Sequence, residues 1–225
     1  FPEKAGTVMM SALSQVPLFA GLAAADIELL ESSAKPRVFP KHTVIMTEGD
    51  ETDSLYVVLS GRLRVYCCND DGKEITLRDL HEGDCFGELA LLGGSERSAS
   101  VITVDAVRCL VISSPVFREL ISSSPELALN LIRSLASLIR HLTENVKSLA
   151  LLDVYGRVAH TLLELSDLQG GQRVTSIPMT QQDIASRVGA SREMVAKILK
   201  DLETGGYIST NKKRIVIREK LPAKY

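Results

Sequence analysis

The first half of the chain consists of short apolar runs separated by turns. A short helical pattern at residues 23–33 is followed, from residue 37 to residue 112, by runs typical of β-strands. Glycines recur between these runs at a regular spacing, which predicts an antiparallel barrel or jelly roll, with one hairpin at Asp71-Gly72. Examples of these predicted strands are residues 43–46, 55–59, 62–67, 75–77, 101–104 and 107–112.

The pattern becomes helical from Pro115, and neither proline nor glycine occurs between Pro125 and Gly156. Leucines recur every seven residues in this stretch, as in the a/d seam of a two-stranded coiled coil. A single amphipathic helix packed within its own domain is the alternative, but a helix approaching 30 residues favours dimerisation. The seam positions are Leu135, Leu142 and Leu149, together with Leu131, Leu138, Asn145 and Leu152, of which Asn145 would fix the register.

The last third of the chain predicts a helix at residues 155–168, a loop at residues 169–172, and then two short helices and a hairpin. Thr180 can cap the first short helix, Gly189 permits a tight turn, and Ser191 can cap the second helix. Two packed helices with no further role are the alternative, but the caps, the spacing and the hairpin favour a winged helix-turn-helix. The elements are residues 180–188, 191–203, 207–210 and 214–218.

Side chains at the start of the second short helix are of the types that read DNA bases. Arg192 and Lys197 can donate to guanine, and Glu193 can accept from cytosine. Residues suited to phosphate contacts are Gln181, Gln182, Ser191, Lys212 and Lys213.

The charge distribution supports this interpretation, although the net charge of −2 gives no indication by itself. Residues 154–225 contain twelve Lys and Arg against seven Asp and Glu, so this part is +5 and the remainder is −7. A basic C-terminal third on an acidic body is typical of an attached nucleic-acid-binding module.

A second motif, Phe86-Gly87-Glu88-Leu89-Ala90, is followed after Gly93-Gly94 by Arg97-Ser98-Ala99. Gly87 would allow the backbone to approach a ligand, and the N–H groups of a short helix beginning there could point at a phosphate. Arg97 and Ser98 could bind that phosphate, whereas Glu88 would accept from a sugar hydroxyl. An ion pair between Glu88 and Arg97 that closes a β-turn is the alternative.

Other chemistry is not expected. The four cysteines (Cys67, Cys68, Cys85 and Cys109) lack C-x-x-C spacing and read as free thiols, and the four histidines have no evident catalytic partner. We therefore expect no metal, haem or iron–sulfur cluster and no enzymatic activity. The absence of a long apolar run or signal peptide predicts a cytoplasmic protein without membrane contact.

These motifs resemble those of the cyclic-AMP receptor protein family, also called the catabolite activator and fumarate–nitrate regulator superfamily. The likeness runs from about residue 14 to residue 218 and is densest at residues 86–99, 148–154 and 180–199. It implies an α+β fold with three parts: a cyclic-nucleotide-binding β jelly roll (1–124), a long dimerisation helix (125–153) and a winged helix-turn-helix (154–225). It also implies a homodimer that binds palindromic double-stranded DNA, with half-sites like TGTGA, and that contacts RNA polymerase.

The resemblance assigns residue roles as well. Arg97 and Ser98 fall on the cyclic phosphate, Glu88 falls on the ribose 2′-hydroxyl, and Arg192, Glu193 and Lys197 fall on base-reading positions. The full set expected at the effector is Gly87, Glu88, Leu89, Ala90, Arg97, Ser98, Ala99, Thr143, Arg78 and Leu142.

The sequence departs from the cyclic-AMP receptors that it resembles where those proteins contact the purine. Leu142 and Thr143 stand where two hydroxyl residues occur, and Arg78 replaces a serine, so Arg78 could stack on or bond a guanine edge. Lys197 replaces an arginine and should relax guanine preference. Cyclic AMP is the first candidate effector and cyclic di-GMP the second. The same scaffold could instead serve an effector-independent or redox-sensing regulator, or a regulatory subunit of an enzyme.

Overall fold

The computed structural model describes residues 13–51, 54–94, 96–211 and 213–222. The chain divides into two compact units, and each is discontinuous in sequence. Residues 1–67 and 77–140 form the first unit, whereas residues 68–76 and 141–225 form the second. Lys212, predicted to contact phosphate, lies outside the described residues.

Eight strands form two four-stranded sheets in the β-rich part of the chain, in the orders β1-β8-β3-β6 and β2-β7-β4-β5. The longest pairing is antiparallel, between β3 and β8, with Leu55 opposite Ile112 and Val57 opposite Leu110. These four side chains are buried, because alternate residues of paired strands point into the same core. The strands are β1 (Lys35–Phe39), β2 (Val44–Met46), β3 (Ser54–Ser60), β4 (Leu63–Cys68), β5 (Glu74–Leu80), β6 (Cys85–Phe86), β7 (Ser100–Thr103) and β8 (Val107–Ser113).

Helices cover one side of the first unit's core. A 3-10 turn (Pro17–Phe19), α1 (Ala24–Ser33) and α3 (Ser114–Ser123) contribute buried apolar residues to it, including Phe19, Leu30 and Phe117. The short α2 (Glu88–Gly93) follows β6. The β-rich expectation is confirmed, although β1 was not among the strands named from the sequence, and β6 was missed because two residues give no readable alternation.

The predicted long helix is α4 (Pro125–Leu151), 27 residues without interruption. Its N-terminal part belongs to the core of the first unit, where Leu127 and Leu131 are buried. Assignment of Leu131 to an intermolecular seam was therefore wrong, since only 4% of this residue is exposed. The large apolar side chains that remain exposed at seven-residue spacing are Ile132 (60%), Ile139 (63%) and Val146 (64%).

The second unit contains three further helices and a four-stranded sheet of order β11-β12-β10-β9. The helix predicted to run to residue 168 ends at Glu164, because Ser166–Gln169 pairs with Gln172–Thr175 across a turn of two positive-φ glycines, Gly170 and Gly171. The elements are α5 (Val154–Glu164), β9 (Ser166–Gln169), β10 (Gln172–Thr175), α6 (Gln181–Val188), α7 (Arg192–Thr204), β11 (Ile208–Asn211) and β12 (Arg214–Ile217).

The tip of the β4–β5 hairpin, residues 68–76, belongs to this second unit. Oγ1 of Thr76 donates to Oγ of Ser186 on α6 at 3.2 Å, and both residues are buried. Nζ of Lys73 donates to the carbonyl of Gly189 at 3.4 Å. The hairpin tip thus packs on the turn between α6 and α7.

Two kinds of feature are absent from the described ranges. No helix there is long and apolar enough to cross a membrane. Nor does that part of the chain contain a group of three or more His, Cys, Asp or Glu side chains placed to hold a metal ion.

Candidate effector and DNA-binding sites

Gly87 forms the sharp turn between β6 and α2. It has φ 92° and ψ 0°, a left-handed conformation that residues with a side chain rarely adopt. A β-carbon at this position would lie 2.6 Å from Nη1 of Arg97 and 2.9 Å from the carbonyl oxygen of Ser54. Glycine is therefore required here by both the backbone and the space around it.

The guanidinium of Arg97 fills that space. Only 3% of the residue is exposed. Nη1 donates to the carbonyl of Gly87 at 2.6 Å and Nη2 to the carbonyl of Ser54 at 2.8 Å. A buried cation is therefore fixed beside Gly87 by its bonds to two backbone carbonyls. Both terminal nitrogens thus bond backbone carbonyls, whereas the alternative considered in the sequence analysis was an ion pair between Arg97 and Glu88.

The nearest ion-pair partner of Glu88 is Arg78 on β5. The Glu88 residue is 6% exposed, and Oε1 lies 3.9 Å from Nη2 of Arg78. Burial raises the pKa of the Glu88 carboxyl, while its own backbone N–H, Arg78 and Arg97 act in the opposite direction. Arg78 also donates to the carbonyl of Cys85 at 3.4 Å. Glu88, the predicted sugar ligand, therefore lies in one charged cluster with Arg78 and Arg97.

The remaining residues of the motif that runs from Phe86 to Ala99, called the cassette below, differ in exposure. Ala90 and Ala99 are buried, whereas Leu89 and Ser98 are exposed. Cys67, which the sequence did not single out, directs Sγ to the carbonyl of Ser98 at 3.8 Å. The first unit thus holds eight of the ten residues expected at the effector.

Two expected effector residues lie in the other unit. Leu142 is half-buried and Thr143 exposed, and both belong to the part of α4 that follows Arg140. Their role at the effector stays a prediction.

Two stacked aromatic rings hold the strand that precedes the turn at Gly87. The rings of Tyr56 on β3 and Phe86 on β6 are stacked with centroids 4.9 Å apart. Tyr56 and Phe86 are also register partners, so the strand preceding Gly87 is held against the strand that begins at Ser54. No local pattern in the sequence indicates this pairing, because the two rings are brought together only by the sheet.

The helix-turn-helix forms as its capping residues predict. Oγ1 of Thr180 accepts from the backbone N–H of Asp183, whose carboxylate accepts from the N–H of Thr180, so α6 begins with a capping box. Gly189 ends α6 with φ 63°, and Oγ of Ser191 accepts from the N–H of Met194 at 3.2 Å.

The base-reading candidates Arg192, Glu193 and Lys197 are exposed on α7, which packs on the core through Val195 and Ile198. Among the residues expected to contact phosphate, those that the structure describes are also exposed: Gln181, Gln182, Ser191 and Lys213. Arg214, at the start of β12 beside Lys213, is an exposed cation that the sequence analysis did not assign. The run Lys212-Lys213-Arg214 was the available signal. The candidate DNA-contacting side chains that the structure describes are thus exposed in this unit.

Two family models match the chain. Residues 36–124 match the cyclic nucleotide-binding domain, and residues 156–221 match the Crp-like helix-turn-helix domain. The first contains Gly87, Glu88 and Arg97, and the second contains α6, α7 and the wing.

Relatives are similar over nearly the full length. The chain is 34% identical over 212 residues to the CRP-like cAMP-activated global transcriptional regulator of Mycobacterium tuberculosis, covering 92% of this chain and 94% of that protein. It is 37% identical over 183 residues to the cAMP-activated global transcriptional regulator CRP of Salmonella typhimurium, covering 80% and 87%. Among solved structures, the c-di-GMP responsive global regulator CLP of Xanthomonas campestris superposes with a TM-score of 0.77 at 27% identity, covering 88% of this chain and 100% of that one. The chain therefore belongs to the CRP/FNR family of transcription regulators, with a cyclic nucleotide-binding domain and a DNA-binding helix-turn-helix.

Proposed function

We propose that this regulator is a homodimer whose affinity for palindromic promoter DNA is controlled by a cyclic nucleotide, with cyclic AMP as the effector. The observation that carries the proposal is the buried Arg97 guanidinium beside the left-handed turn at Gly87. A fixed cation in a low-dielectric site is suited to a phosphodiester. The names of the M. tuberculosis and S. typhimurium relatives support cyclic AMP.

In this proposal three groups of residues bind the phosphate, the ribose and the base of the effector. Arg97 and Ser98 bind the cyclic phosphate, beside a turn made of Gly87, Leu89, Ala90 and Ala99. Glu88 accepts from the ribose 2′-hydroxyl. The base is recognised by Thr143 and Leu142. Nη2 of Arg78 lies 3.9 Å from Oε1 of Glu88, the proposed ribose ligand. Residues 1–124 act as the sensor, residues 125–153 as the dimerisation helix and residues 154–225 as the DNA-binding domain.

Cyclic di-GMP is the second candidate. The Xanthomonas regulator named as c-di-GMP responsive supports it, and Arg78 could bond a guanine edge. Titration calorimetry with cyclic AMP, cyclic GMP and cyclic di-GMP separates the candidates. We expect cyclic AMP to bind and Arg97→Gln to weaken it at least tenfold, about the cost of one charge-assisted hydrogen bond. If none of the three nucleotides binds, the effector proposal is wrong.

Dimerisation is supported by the exposed stripe on α4. Ile132, Ile139 and Val146 repeat every seven residues and are each at least 60% exposed, a heptad pattern that a second copy of the helix would cover. We expect Ile139→Asp to give monomers in sedimentation velocity. Leu168→Asp is the control, because Leu168 is 72% exposed but lies on β9 outside the helix. A dimer that survives Ile139→Asp would contradict the assignment of this stripe.

The dimer explains how an effector could control DNA binding. Two recognition helices must lie about 34 Å apart to read half-sites one turn apart, and the effector must bind that state better than its alternative. Fluorescence anisotropy with a palindromic duplex, with and without each nucleotide, measures this coupling. Equal DNA affinity with and without a bound nucleotide would refute it. RNA polymerase is the proposed partner at the promoter.

A further inference from the structure

Arg78 places a positive charge beside a buried carboxylate in the sensor domain. Nη2 of Arg78 lies 3.9 Å from Oε1 of Glu88 and donates to the carbonyl of Cys85 at 3.4 Å. The side chain of Arg78 is 25% exposed, and that of Glu88 is 9% exposed. A carboxylate removed from water to this extent is costly unless a cation or donors compensate for the lost hydration.

Among the residues that the structure describes, several groups act on the Glu88 carboxylate or are affected by it. Arg78 comes from β5, Arg97 from the segment after α2, Cys85 from β6, and the residue's own N–H from the start of α2. Burial and two nearby carboxylates raise the pKa of the Cys85 thiol, so Cys85 is neutral and adds no charge near pH 7. Arg97 directs its two terminal nitrogens to the carbonyls of Gly87 and Ser54. Arg78 is therefore the cation that forms an ion pair with the Glu88 carboxylate.

We propose that Arg78 is a positioning residue of the effector site, which keeps the buried Glu88 carboxylate in its charged form so that it accepts a hydrogen bond from a ribose hydroxyl. The inference rests on the proposed function, since it assigns the ribose to Glu88. It differs from a base-reading role for Arg78, because here the arginine acts through Glu88 and not on the purine. A neutral, protonated Glu88 would lose an acceptor and present a donor instead.

This role predicts a pH dependence. Burial already raises the pKa of Glu88, and Arg78 and Arg97 hold it down. Removing the Arg78 charge raises that pKa further, so the charged carboxylate, which is the stronger acceptor, is lost at a higher pH as the solution is acidified. A shift of one pH unit in this titration corresponds to a tenfold change in the charged fraction below the pKa.

The experiment compares wild type with Arg78→Gln, Arg78→Lys and the control Arg62→Gln. Arg62 also forms an ion pair in the β-rich domain, with Asp105 at 2.7 Å, but its partner is outside the cassette. Cyclic AMP and cyclic GMP affinities are measured by calorimetry from pH 6 to pH 8. Below the raised Glu88 pKa of Arg78→Gln, we expect its affinity for cyclic AMP to fall by up to about tenfold for each pH unit of acidification. Wild type, Arg78→Lys and Arg62→Gln should lose less affinity between pH 8 and pH 6.

A second measurement needs no effector. The side-chain carboxyl of Glu88 is titrated by NMR in glutamate-labelled protein, and Glu88→Gln identifies its signal. Arg78→Gln should raise the Glu88 pKa, and Arg78→Lys should restore it. An unchanged titration would overturn the proposal even if no cyclic nucleotide bound the wild type, which separates this failure from failure of the proposed function. A flat pH profile combined with altered preference between cyclic AMP and cyclic GMP would assign Arg78 to the base and would also overturn it.

Discussion

Replacing Gly87 by alanine tests the cassette turn most directly. The substitution adds one methyl group to a residue with φ 92°, at a point 2.6 Å from Nη1 of Arg97 and 2.9 Å from the Ser54 carbonyl oxygen. The left-handed conformation alone costs about 1–2 kcal/mol for a residue with a β-carbon. The methyl group also displaces the Arg97 guanidinium from the Gly87 carbonyl, and a hydrogen bond to a charged group contributes about 1.5–3 kcal/mol. We therefore expect Gly87→Ala to lower the free energy of unfolding by about 2.5–5 kcal/mol.

Gly94 provides the matched control. It ends α2 with φ 63°, also left-handed, but a β-carbon there would meet no atom within 4 Å. Gly94→Ala should therefore cost only the backbone strain, about 1–2 kcal/mol. Urea unfolding followed by circular dichroism measures both variants, and calorimetry measures their cyclic AMP affinity. Equal destabilisation of the two variants would refute the argument that Arg97 occupies the space above Gly87.

Three further outcomes can be tested. Arg192→Ala should weaken binding by about 1–3 kcal/mol per half-site on cognate DNA only, whereas Lys213→Ala should weaken binding to every duplex and lower the salt slope by about one. Fluorescence anisotropy measures both variants, and an equal loss on all sequences would contradict base reading by Arg192. Thr180→Ala removes the capping box of α6 and should lower the free energy of unfolding in urea by about 1 kcal/mol. Thr204, whose hydroxyl donates to the Lys200 carbonyl near the end of α7, gives the control: Thr204→Ala should cost less than about 0.5 kcal/mol. Burial raises the pKa of Cys109 to about 12, so its thiolate forms only as the pH approaches that value. At pH 8 a disulfide reagent should therefore modify the exposed Cys68 well before Cys109, and peptide mass spectrometry measures this order.

Local signals were sufficient for the helix-turn-helix. Thr180, Gly189 and Ser191 each act within three or four residues of their own position, so their roles are readable from spacing alone. The helix predicted through Leu168 failed for the opposite reason. Its apolar spacing suits a helix, but pairing of β9 with β10 and of β10 with β12 decides the outcome, and Ile217 of β12 is 44 residues away from Arg173.

The effector cluster shows the same limit. Glu88 and Arg97 belong to one short motif and could be singled out together. The Ser54 carbonyl that receives Arg97 is 43 residues away in sequence, and nothing about a backbone carbonyl marks it in advance. Arg78 was noticed as a departure from the family, but its distance to Glu88 depends on how β5 and β6 are placed by the sheets.

The hairpin tip at residues 68–76 has a consequence for how this protein can be divided. A fragment that begins at residue 141 or 154 contains the recognition helix but lacks the nine residues that complete its compact unit. In such a fragment the buried hydroxyl of Ser186 would lose its Thr76 partner. Transplanting only the C-terminal segment onto another sensor would therefore give a chimera with a mismatched junction at α6. A functional exchange between family members should carry residues 68–76 together with the C-terminal segment.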